Sequence, residues 1–120
     1  MPTHADFSAI FEKLKIVLKK YEKRCVVEKD TESDYYLNTK KLDQKKSPIF
    51  FAATSINKIS VSFYLMPVYR YPDILDEISP ELRKHLHGKS CFRFTKVEPA
   101  LFKELSMLTK RSIERCKKQS

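Results

Sequence analysis

Two stretches of apolar residues at helical spacing, one near each end of the chain, most constrain what this sequence can fold into. Phe7, Ile10, Phe11, Leu14, Val17, Leu18 and Tyr21 recur every three or four residues. At about 100° per residue they fill one arc of roughly 120°, which predicts an amphipathic helix over 6–22. Asp6 stands where a cap belongs, Lys13, Lys15, Lys19, Lys20 and Lys23 lie off the stripe, and Ile16 falls opposite it, exposed to water. After Pro99 the pattern returns: Leu101, Phe102, Leu105, Leu108, Ile113 and Cys116 share an arc that excludes Lys103, Lys110, Arg111 and Arg115. Two such helices each need an apolar surface to cover.

The intervening sequence is suited to supply that surface as a sheet. Cys25–Glu28 and Tyr35–Thr39 are short β-prone runs joined by an acidic turn from Glu28 to Asp34. A loop containing Lys40, Lys41, Lys45 and Lys46 leads to Pro48 and two longer runs, 49–54 and 60–66, with 55–58 as a hairpin connection. Pro67 ends the second run or places it at an edge. Asp73–Ile78 suits one helical turn. Ser79 then caps a short helix with Pro80 at its first position, and Gly88, the sole glycine, is placed to close that helix. Cys91–Phe94 reads as a last strand. The expectation is an α+β fold: a single antiparallel sheet of about five strands, packed on one face by the N- and C-terminal helices.

At 120 residues, 42% of them hydrophobic, the whole of 1–120 fits one domain able to bury roughly 65% of its unfolded surface. No run approaches a membrane span, and the start shows no secretory signal. Three cysteines, Cys25, Cys91 and Cys116, are odd in number and far apart, which argues against a disulfide framework and for the cytoplasm. One glycine rules out glycine-rich phosphate loops, and no nucleophile elbow or His-Glu-x-x-His motif is present. The sequence therefore reads as non-enzymatic, with no required cofactor. The net charge of +9 favours anionic partners, and nonspecific nucleic-acid binding through the basic residues of the two long helices, the lysine loop and the tail is the lesser alternative, since no recognised nucleic-acid motif accompanies them.

Alternation on the strands suggests a binding surface. If Phe92 and Phe94 face the helices, Cys91 and Arg93 point to the other side, where the nearby cation would favour the thiolate. Tyr64 and Met66 would join them, with Tyr36 and Asn38 alongside, as a ligand patch or as the contact with a second copy. Glu28, Asp30, Glu32 and Asp34 in one segment, and Asp73, Asp76 and Glu77 in another, offer oxygen ligands suited to iron, magnesium or calcium.

The segments Val61–Tyr69, Ile78–Leu82 and, most specifically, Gly88–Phe92 resemble the YdhG-like family of small bacterial proteins, and Phe50–Ala53 and the leading helix also fit. The resemblance spans nearly the whole chain. It implies a frataxin-like sandwich and, for some members, an iron chaperone serving iron–sulfur and haem assembly. In that role Glu28, Asp30, Glu32 and Asp34 would hold iron weakly, and the basic helices would dock an acidic protein partner. Tyr64 stands where many members carry His, and Arg93 where many carry Asn.

Overall fold

The computed structural model describes residues 4–42, 48–88 and 90–118. The first helix, α1 (His4–Lys19), buries Phe7, Ile10, Phe11, Leu14, Val17 and Leu18 and leaves Ile16 exposed, as the spacing predicts. A short 3-10 turn, Glu22–Arg24, follows. Three strands come next: β1 (Cys25–Asp30), β2 (Asp34–Leu42) and β3 (Pro48–Ile56). The acidic segment is thus mostly strand, and the reversal is confined to 31–33, where Thr31 accepts from the Ser33 and Asp34 amides at 3.3 and 3.0 Å. Residues 43–47 of the lysine-rich loop lie outside the described residues, as do the side chains of Asp6, Lys40, Lys41 and Cys116.

Strand β4 (Val61–Leu65) pairs with β3 through the hairpin turn at 57–60, two residues later than the sequence suggests. Pro67 does end this strand, because α2 (Met66–Arg70) starts there and places the proline in its first turn, where a missing N–H costs nothing. A 3-10 turn, Pro72–Glu77, leads to α3 (Pro80–Arg83), whose Ser79 cap accepts from the Leu82 amide at 3.1 Å.

The sheet has six strands, in keeping with the expected five or so, the added one being Leu86–His87, which forms β5 against β6 (Cys91–Phe94). The expected role of Gly88 is corrected. Gly88 belongs to the turn between these strands and does not cap α3, which ends five residues earlier. Its φ is +70°, and nothing lies within 4 Å of where a Cβ would stand, so backbone conformation alone demands glycine. Gly88→Ala is expected to cost roughly 1 kcal/mol in chemical denaturation, and Gly88→Asn appreciably less. Equal losses for both would mean that left-handed geometry is not what selects this residue.

The chain closes with α4 (Pro99–Lys118). The strand order is β1-β2-β3-β4-β6-β5, antiparallel throughout. One core joins α1 and α4 to the inward phase of the strands: Tyr35 and Leu37, Ala52, Val61, Phe63 and Leu65, Phe92 and Phe94. Phe102 of α4 meets Phe94 edge-on, with ring centroids 5.0 Å apart. Both long helices therefore cover one face, and among the described residues no element packs on the other. No described helix is long and apolar enough to cross a membrane.

Candidate functional site

Antiparallel pairing fixes which outward side chains meet. Lys29 on β1 lies opposite Tyr36 on β2, which lies opposite Ala53 on β3, then Tyr64 on β4, Cys91 on β6 and His87 on β5. These six residues form one transverse row on the helix-free face, since cross-strand partners share a face. The next row runs Asp34, Ser55, Ser62, Arg93. Ala53 and Ser62 are buried beneath their taller neighbours, Tyr36, Tyr64 and Cys91 are half-buried, and Arg93 is exposed. The result is a face with aromatic walls, a low floor and a cation at its margin.

Five of the six predicted ligand residues meet here: Tyr36, Asn38, Tyr64, Cys91 and Arg93. Met66 does not. The strand has already ended, so Met66 enters α2 and leaves the pleat that would have aligned it with Tyr64. Phe50 takes a place that the sequence reading left empty. A bulge at Phe51, where Leu37 pairs with Ala52 but Asn38 pairs with Phe50, sends Phe51 and Ala52 both inward and returns Phe50 to the outer face. There its ring lies 6.2 Å from that of Tyr36. The Lys29 ammonium sits over the other side of the row, 5.8 Å from the Tyr36 ring centre.

Most polar groups beneath the rings are engaged. Ser55 donates to Asp34 at 2.6 Å, Ser33 donates to the same carboxylate at 3.0 Å, and Lys29 stands 3.5 Å from it. The Ser55 hydrogen bond first, then those of Ser33 and the Lys29 charge, hold the Asp34 carboxyl below its ordinary range against the opposing effect of burial. Asn57 donates to the Ser62 hydroxyl, and Asn38 donates to Glu28 at 3.2 Å. Burial pushes the Tyr64 phenol up, Ser62 opposes that shift, and the adjacent Cys91 adds to it.

The Asp34 shift has a defined pH signature. A carboxylate whose folded pKa lies below its unfolded value of about 4 stabilises the fold above that pH, and the contribution is lost as pH falls through the folded value. The difference in melting temperature between wild type and Asp34→Asn is therefore expected to be present at neutral pH and to shrink below about pH 4. A difference that stays constant down to acid would assign the effect to packing instead.

The four acids expected to hold iron are not brought together. Asp30 pairs with Lys15 at 2.7 Å, Asp34 is held by Ser55 and Ser33, Glu28 accepts from Asn38, and Glu32 is exposed at the β1–β2 turn. In the second acidic segment Asp73 accepts twice from Arg115, at 2.8 and 3.3 Å. Among the described residues, no group of three or more His, Cys, Asp or Glu side chains is placed to hold a metal ion. The sequence is matched by no protein-family model, no curated protein and no solved structure. The class that fold and site define is thus an α+β domain with one sheet face left uncovered by its described elements.

Proposed function

We propose that this chain is a non-enzymatic binding module of a reducing, cytoplasmic environment, and that it takes its ligand on the helix-free sheet face. The observation that carries the reading is the transverse row from Tyr36 through Ala53 to Tyr64 and Cys91, with Arg93 beside it. Aromatic surface with a few polar anchors is how proteins hold flat ligands, and an exposed guanidinium supplies a partner for an anionic group. The free thiol of Cys91 accords with the compartment.

Benzoate, a flat anion, is a suitable probe. In a proton–nitrogen NMR titration of the labelled full chain, the expected shifts cluster at Tyr36, Ala53, Tyr64, Cys91 and Arg93, and they weaken in Tyr64→Ala and Arg93→Gln. Shifts confined to the helices, or none at all, would defeat this reading. Iron delivery, which the YdhG-like resemblance implies, is tested separately by ferrous iron calorimetry with Glu28, Asp30, Glu32 and Asp34 changed together to Ala. Heat present in wild type and lost in that variant would move the function to the β1–β2 hairpin.

A further inference from the structure

We infer that the helix-free face binds single-stranded nucleic acid, with bases stacking on Tyr64 and Tyr36 and backbone phosphate held by Arg93; this deepens the reading of that face as the binding surface and rests on it. The two tyrosines stand on strands separated only by β3, so their backbones lie about 10 Å apart. Between them the floor is the methyl group of Ala53. Ala53 is itself buried, so a planar heterocycle would lie across the half-buried rings rather than between them. Phe50 extends the aromatic surface beside Tyr36. Every base has a π-face, so a row of rings on an open sheet suits unpaired bases, whose faces are free.

Charge selects among occupants of such a face. Lys29 and the hydrogen bonds of Ser33 and Ser55 offset Asp34. Glu28, the other acid near the face, lies toward the β1 edge in contact with Asn38. Among the described residues no carboxylate pairs with Arg93. The chain as a whole carries 24 Lys and Arg against 15 Asp and Glu, a surplus that draws in a polyanion and repels a second copy of itself. Binding on this face is expected to tolerate many sequences. Asn38, Ser55 and Ser62, the groups that would read base edges, already bond to Glu28, Asp34 and Asn57.

The test uses the full chain and a fluorescein-labelled uridine oligomer of about 12 nucleotides, read by fluorescence anisotropy against a duplex of equal length. The oligomer is expected to bind at least about tenfold more tightly than the duplex, whose bases already stack on each other. Tyr64→Ala and Tyr36→Ala should each weaken binding by about 5- to 100-fold, while Tyr64→Phe, which keeps the ring, retains affinity. Affinity should also fall between about 50 and 200 mM salt, as phosphate contacts require. Lys103→Ala, on the exposed side of α4, should change little. Equal binding of duplex and single strand, unaltered affinity in both alanine variants, a loss in Tyr64→Phe as large as in Tyr64→Ala, or no binding overturns the inference. Benzoate titrated into the same labelled sample separates the two levels. Row shifts with benzoate but not with the oligomer reject nucleic acid and keep the binding face; silence with both rejects both.

Discussion

Phe92→Ala is expected to lower the free energy of unfolding by about 3–5 kcal/mol, and Arg93→Ala by less than about 0.5 kcal/mol, although the two residues are neighbours on one strand. Phe92 is fully buried between Phe63 of β4 and Leu86 of β5, its partners across the ladder. Removing a phenyl ring there forfeits its burial and leaves a cavity that the α1–α4 roof cannot fill. Arg93 faces the other way, opposite Ser62, and is exposed. Urea denaturation of both variants measures the contrast directly. Comparable losses at the two positions would mean that the strand does not present alternating faces, and the proposed binding face of Tyr64, Cys91 and Arg93 would have no basis.

Strand phase was legible because apolar residues alternate with polar ones in Val61-Ser62-Phe63 and again in Phe92-Arg93-Phe94. The two long helices were legible from their wide apolar stripes, although in α4 the buried Thr109 and Ser112 interrupt the stripe between Leu108 and Ile113. What escaped the sequence lies where a local rule had two outcomes. Leu86–His87 is too short to show alternation, and its pairing with β6 depends on Gly88 being in a hairpin turn. A glycine soon after a helix start reads equally well as the end of that helix. Met66 failed because Pro67 stops a strand and also starts a helix, and only the second shifts the residue before it out of the pleat. Phe50 failed because the bulge at Phe51 reverses the phase midway along β3. No sequence pattern marks it, since Phe50-Phe51-Ala52-Ala53 is apolar on both faces. The candidate ligand face was therefore named in most of its members. The order of those members across the sheet came only from strand pairing, which is non-local. The iron site shows the converse: of four acids close in sequence, Glu28, Asp30 and Asp34 find Asn38, Lys15, Ser33 and Ser55 as partners once the strands form, and Glu32 stays exposed at the turn.

Glu104→Ala should destabilise the fold by on the order of 2–3 kcal/mol, a large effect for a half-buried surface-helix residue. Its carboxylate accepts from the Ser79 hydroxyl and from the Ser79 amide, both at 2.6 Å, and so ties the cap of α3 to the side of α4. Hydrogen bonds to a charged acceptor are worth more than neutral ones, and the variant strands the Ser79 donor as well as losing the bond. The consequence reaches the binding face. Beyond α3, His85 receives the Arg93 amide at 3.0 Å through its carbonyl, bonds the Arg93 carbonyl at 2.8 Å through Nδ1, and meets Glu98 at 2.9 Å through Nε2. The segment from Ser79 to Arg93 is thus pinned to the α4 region at both ends. Releasing the Glu104 end should speed amide exchange at Arg93 along with that of Leu82, while Lys103→Ala, one residue away but pointing to solvent, leaves both protected. Glu104→Gln, which keeps one acceptor oxygen, is expected to lose about half as much. If Arg93 exchanges at the wild-type rate in Glu104→Ala while Leu82 is exposed, the β6 edge of the binding face is held by the sheet alone.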